Sequence, residues 1–182
     1  MAITLSTSRS STLETVKKNR WIFQFATVPG NGNQAVTDLA FAAHTSTTPT
    51  LTFNPVEHHR LNERFWSAGK PMWNDIQATF YDYHDDLSSG QILYNWASEI
   101  YDPITGQMFF KVQYTTSATL AQLDPAGGIF RLWNIFYIWP TNVGFGEALS
   151  YDDEGLSECS VTFKYDYAIK ANDSGNNPTG LN

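Results

Sequence analysis

The chain has 182 residues, 42% of them hydrophobic and 15% aromatic, with a formal charge of −7 and a pI near 4.9. That length accommodates one hydrophobic core without a metal or disulfide staple, and the single cysteine, Cys159, excludes an intramolecular disulfide and any multi-cysteine metal site. The acidic balance excludes a conventional nucleic-acid binder, which would display clustered Lys and Arg, and no apolar run approaches the roughly 20 residues of a membrane-spanning helix.

Residues 1–19 are polar and rich in Ser and Thr, and they read as an N-terminal arm with at most a helical turn at Leu13–Lys17. Ser, Thr and charges interrupt every apolar pair there, so a signal-peptide core is missing and the expected compartment is the cytoplasm. Trp21, Phe23 and Phe25 alternate with Ile22, Gln24 and Ala26 until Pro29-Gly30-Asn31-Gly32-Asn33 breaks the run, which predicts a strand and a turn. A second strand is expected over Asp38 to Thr45. A third follows Pro49, with Leu51 and Phe53 on one face and Thr50 and Thr52 on the other. Residues 54–73, NPVEHHRLNERFWSAGKPMW, show no clean period; a long irregular loop is expected, with Phe65, Trp66 and Trp73 offered to a partner. Ile76, Ala78 and Phe80 then alternate with Gln77 and Thr79 as another strand.

One helix is predicted, at about 87–99, with Asp85 or Asp86 at its start and Leu93, Trp96 and Ile100 along one stripe beside Ile92. Ala118–Leu123 turns through Asp124-Pro125-Ala126-Gly127-Gly128 into 129–139, IFRLWNIFYIW, which is apolar on both faces and therefore central or buried at an interface. The clearest strand is 158–169, with Cys159, Val161, Phe163, Tyr165, Tyr167 and Ile169 on one face and Glu158, Ser160, Thr162, Lys164 and Asp166 on the other. Ala171–Asn182 has the composition of a tail, which leaves a folded unit over 20–170.

Few residues suggest chemistry. His58 and His59 beside Glu57 are adjacent, so on a strand their imidazoles diverge and a solvated edge is favoured over a metal site. His84 with Asp82, Asp85 and Asp86 precedes the helix, where carboxylates are expected as caps and dipole partners. Cys159, mid-strand on the apolar face, reads as a small core residue. There is no Gly-x-Ser-x-Gly, no HExxH and no phosphate-binding glycine loop. The expectation is a non-enzymatic protein with no catalytic set, no cofactor and no metal.

The order of these features resembles the tube proteins of contractile-tailed phages. The residues that carry it are Trp21 opening an aromatic strand; Asn62 to Pro71, with Phe65 and Gly69-Lys70-Pro71, as the loop of an interlocking hairpin; Trp73-Asn74-Asp75-Ile76 with Phe80 and Asp82; Tyr94 and Trp96 in the helix; Thr105-Gly106 beginning further strands; Leu123 to Gly128 before Trp133; Trp139-Pro140; Leu149-Ser150-Tyr151; and the closing Val161–Tyr167 strand. The resemblance implies a mainly β fold, a small barrel of two packed antiparallel sheets with one flanking helix. It also implies six copies in a ring, rings stacked into a tube, and relatives among type VI secretion and tailocin tubes.

On that resemblance, Phe65, Trp66, Lys70 and Pro71 are expected at the contact between rings, and Arg131, Trp133, Ile135 and Tyr137 in sheets shared between subunits. Asp124, Glu158 and Asp166 are expected among the residues facing the lumen. The implied partners are other copies of the chain, the sheath, the tape measure and the baseplate or terminator proteins. DNA would pass without specific binding, because a bore of six copies each carrying −7 repels phosphate. The expected location is the virion tail, assembled in the host cytoplasm without membrane insertion. The nearest alternatives are a type VI or tailocin tube component and a tube initiator or terminator. A carbohydrate-binding β-sandwich is the alternative from another class, since Trp and Tyr on strands can stack on sugars.

Overall fold

The computed structural model describes residues 16–84, 88–146, 150–152 and 154–171. The expected tail from 172 and most of the expected N-terminal arm, including Leu13–Thr15 of its helical turn, lie outside those residues, as do Asp85 and Asp86. In chain order the elements are β1 (Trp21–Phe25), α1 (Gln34–Ala42), β2 (Ala43–Ser46), β3 (Leu51–Arg60), β4 (Glu63–Trp73), β5 (Ile76–Tyr81), α2 (Ser89–Ser98), α3 (Lys111–Tyr114), β6 (Thr116–Leu123), β7 (Ile129–Gly144), β8 (Glu158–Lys164) and β9 (Tyr167–Ala171).

The strands form one continuous antiparallel path, β1-β6-β7-β8-β5-β2, with β9 also on β7, and β3-β4 stand apart as a two-stranded hairpin. Two packed sheets arise because β7 changes sheet along its length. Leu132 to Phe136 pair with β9, and Ile129 to Ile138 pair with β6. From Trp139 to Gly144 the partner is β8. Between these halves lies Tyr137, at φ +56, where the β6–β7 register also slips. A strand that turns a corner through such an irregularity is how sheets cross at high angle.

Between the two sheets the core is aromatic. Phe25 packs on Trp96 and Phe163 with ring centroids 5.2 and 5.4 Å apart, and Phe80 and Phe23 meet the same Phe163. Inward residues follow period two, Ile76, Ala78 and Phe80 on β5 and Cys159, Val161 and Phe163 on β8. Helix α2 closes one mouth of the barrel with Ile92, Leu93 and Trp96, and the Trp96 indole N–H donates to the Tyr114 carbonyl at 2.8 Å. Its first turn is capped by Ser88, whose hydroxyl accepts from the Gln91 N–H, and Asp82 accepts from the Gly90 N–H at 3.2 Å.

Five local expectations are corrected. Asp38 to Thr45 is mostly helix: Ala35, Leu39 and Ala42 are buried at helical spacing, and Phe41 points outward. The barrel therefore carries α1 and α2, plus the short α3, where one helix was expected. Residues 54–73 are ordered strand rather than irregular loop. The expected strand 158–169 is broken at Tyr165–Asp166 into β8 and β9, and the inward phase moves from Tyr167 to Ala168. Thr105-Gly106 forms a turn, with Gly106 at φ +73, and the next strand waits until Thr116.

Candidate functional site

The β3–β4 hairpin leaves the barrel from the Ile76 end of β5. Its base is fixed by the Asn74 side chain, which donates to the Thr50 and Thr52 hydroxyls at 3.1 and 2.9 Å, and by Trp73, whose ring lies 5.8 Å from Tyr165. Beyond that base no part of the subunit's core covers it. In its outer half Glu57, His59, Arg64 and Trp66 share one face and Val56, His58, Phe65 and Ser67 the other, so large apolar side chains protrude on both sides. Trp66 is 60% exposed and Leu61, at the tip, fully so. A bare two-stranded hairpin is marginal in water, and exposed apolar groups on both faces mark a contact surface.

The two histidines diverge as their adjacency requires. His58 stacks on Phe65 at 4.9 Å and its Nε2 lies 2.8 Å from the Ser67 hydroxyl, while His59 and Arg64 approach Glu57 at 3.7 and 3.3 Å. Among the described residues no group of His, Cys, Asp and Glu is placed to hold a metal ion. Burial, with Asp82 nearby, pushes the Cys159 thiol up to about 11, so it is a core group and a poor nucleophile.

The residues expected at one contact between rings, Phe65, Trp66, Lys70 and Pro71, are all exposed on β4. Arg131, Trp133, Ile135 and Tyr137 lie elsewhere. The backbone from Leu132 to Phe136 is already paired on both sides, with β6 and β9, so it offers no free edge for backbone pairing between copies. Ile135 is fully buried, Trp133 packs on the core, Arg131 donates to Gln122 at 3.3 Å, and Tyr137 is exposed under the Lys111 ammonium. The apolar character of this strand reflects its central position. Among the described residues, unpaired edges belong to β1, β2 and β9, to the two strands of the hairpin, and to residues 139–144 of β7, which pair with β8 alone.

The three acids do not converge. Asp124 folds onto its own turn, accepting from the Ala126 and Gly128 N–H groups at 2.9 and 2.7 Å. Asp166, between β8 and β9, is held by Lys111 at 2.5 Å. Glu158 is on the outward face of the β5–β8 sheet, 2.7 Å from His44 Nδ1, and His44 stacks on Tyr81 at 4.4 Å. That face is otherwise rich in hydroxyls: Thr45, Thr79, Ser160 and Thr162, with Gln77, and with Lys164 paired to Asp75 at 2.5 Å. The outward rows of the other sheet, Gln24–Thr119–Asn134–Ile169 and Ile22–Ala121–Leu132, carry no charge at all.

One surface escaped the sequence reading. Between α2 and the C-terminal half of β7 runs a groove of about 360 Å³, lined by Tyr94, Ala97, Ile100, Tyr101, Trp139 and Phe145 among others. Beside it the segment 101–112 exposes Ile104, Met108, Phe110 and Val112, Ile104 to 93%. The signal available was a run of large apolar residues without either structural period.

No family model matches the chain, and no curated protein does. Solved structures do. A chain of the sheath/tube terminator of the PVC extracellular contractile injection system superposes at TM-score 0.67 with 12% identity, over 89% of this chain and 100% of that one. A chain of the anti-feeding prophage tube-terminating cap gives 0.67 at 12% identity, covering 93% and 99%. The PVC sheath–tube complex gives 0.64 at 13%, again over 93% and 99%. The chain shares its fold with components of contractile injection machines. At such identities the likeness concerns the fold, a mainly β barrel of two antiparallel sheets, and it spans nearly the whole of each relative.

Proposed function

We propose that this chain is the structural, non-enzymatic subunit of a phage-type contractile tail tube. Six copies close a ring, rings stack, and DNA passes through the bore. The observation that carries the reading is the β3–β4 hairpin, which presents Phe65 and Trp66 on opposite faces with nothing among the described residues to cover them. Head-to-tail contacts of this kind generate closed rings or open stacks. The likeness to chains of sheath–tube and terminator structures supports it.

Within this reading Phe65, Trp66, Lys70 and Pro71 act between rings, and the free edges of β1, β2 and β9 pair between neighbours in place of β7. Arg131, Trp133 and Tyr137 contribute side chains at most. The hydroxyl-rich face of β5 and β8 lines the bore, with Glu158 the one of the three expected acids on it. Sheath lies outside, tape measure inside, and baseplate and terminator proteins at the ends, in a virion assembled in the host cytoplasm. A terminating or capping subunit is the second reading, since the terminator and cap chains share this fold over as much of their length as the sheath–tube chain does.

Sedimentation of purified protein tests the hairpin's role. Wild-type chain is expected in large assemblies, and Trp66→Ala is expected to lose about 2 kcal/mol per contact, more than tenfold in the association constant. Equal assembly by Trp66→Ala and Phe65→Ala chains would remove the basis of the reading.

A further inference from the structure

We propose that the barrel is charge-polar, and that the cationic end of one copy seats on the anionic end of the next, so that charge fixes the direction of assembly. The inference rests on the tube reading and adds what makes its end-to-end contact one-way. Five of the chain's 11 Lys and Arg gather at one end of one sheet. Lys17, Lys18 and Arg20 lead into β1, Arg131 stands on β7 opposite Gln122, and Lys170 stands on β9 opposite Trp133. The Arg20 carbonyl accepts from the Leu123 N–H and Trp21 pairs with Gln122, which places the entry to β1 beside Arg131. None of the five forms an ion pair among the described residues. The acid nearest in the chain, Asp124, is turned into its own loop.

This is the Ile76 end of the barrel: Lys18 and Trp21 line a hollow with Thr47 and Thr50, and the Thr47 N–H donates to the Gln77 carbonyl. The other end lies the length of β5 away, roughly 20 Å. There Phe25 meets Trp96, and the Ser89 hydroxyl donates to the Tyr81 carbonyl at 2.8 Å. Tyr81 pairs with Glu158, Asp82 follows it, and the connection from β7 back to β8 carries Asp152 and Glu154. Residues 71–110 and 132–163, which build this end, contain no Lys or Arg and hold 11 of the 18 Asp and Glu. Charges in physiological salt act over about 8–10 Å, so the two ends of one subunit do not neutralise each other. Copies stacked in the same direction bring opposite ends together, whereas reversed copies set like charges face to face.

Sedimentation of the full-length chain tests the proposal. Wild-type assembly is expected to weaken about tenfold between about 0.05 and 0.5 M NaCl. Two variants reverse the exposed charges at either end: Lys17→Glu/Lys18→Glu/Lys170→Glu and Asp152→Lys/Glu154→Lys. Each is expected to keep the wild-type melting temperature and to assemble at least about tenfold less well. Combining all five substitutions in one chain is expected to recover most of that loss, because opposite charges again face each other. With a wild-type chain that assembles, undiminished assembly by either variant, or no recovery in the combined chain, overturns the charge assignment and leaves the tube reading standing. A wild-type chain that stays monomeric at low salt overturns both.

Discussion

Gly69 shows how a single backbone position holds the β3–β4 hairpin in shape. It lies in the irregular stretch of β4 opposite Asn54, and a Cβ there would sit 2.3 Å from the Asn54 carbonyl oxygen. Gly69→Ala is therefore expected to loosen the hairpin at a cost of about 1–3 kcal/mol. Amide exchange should rise in 51–73 and remain slow in β5 and β8. Leu61 poses the converse case: at φ +53 an exposed leucine is strained by about 1 kcal/mol, so Leu61→Gly is expected to leave the subunit's melting temperature unchanged or higher while weakening assembly.

Two buried acids set the response to alkali. The Cys159 thiol is raised from 9.0 to about 11 by burial and by Asp82, and the Tyr165 hydroxyl from 10.0 to about 12, chiefly by burial. In each case the folded state holds its proton more tightly than the unfolded chain. Their contribution to stability is thus complete below the unfolded values and is lost as pH rises through the folded ones. Urea unfolding should show a fall in stability between about pH 9 and 12. Cys159→Ala should flatten the lower part of that fall; an identical profile would mean the thiol does not contribute.

At the scale of elements, what could be read in the sequence was what the subunit's own core imposes. Ile76, Ala78 and Phe80 on β5, and Cys159, Val161 and Phe163 on β8, are buried on one side and so alternate visibly. Helix α2 was legible from Leu93 and Trp96, although its cap is Ser88. Trp96→Ala is expected to cost about 3–5 kcal/mol by opening a cavity against Phe25 and Phe163, measurable as a large drop in melting temperature. Helix α1 was misread because Leu39, Phe41 and Ala43 mimic alternation. Phe41 is exposed, and the informative spacing was that of Ala35, Leu39 and Ala42. The hairpin showed no period because burial of one face is what writes a period into a strand, and neither of its faces is buried in this subunit. The run 129–139, apolar on both faces, read as central or buried at an interface, and it is central; the corner at Tyr137 left no mark, so that one strand serves both sheets was not legible.

At the scale of the molecule, the subunit is a closed core with open margins. Its apolar interior is aromatic and close-packed, while among the described residues β1, β2, β9 and residues 139–144 of β7 have unpaired edges and the hairpin projects from one end. Proteins that remain single usually blunt such edges. Charge is distributed in a way the composition did not show: neither outward sheet face concentrates carboxylates, and the acids on or near them are paired or folded into turns. If the β5–β8 face lines a bore, passage depends on a wall of hydroxyls with balanced charges at least as much as on net repulsion. Electron microscopy of concentrated, untagged protein tests the account most directly: it predicts sixfold rings or tubes with a central channel, and a field of isolated globules at every concentration and salt condition would contradict it.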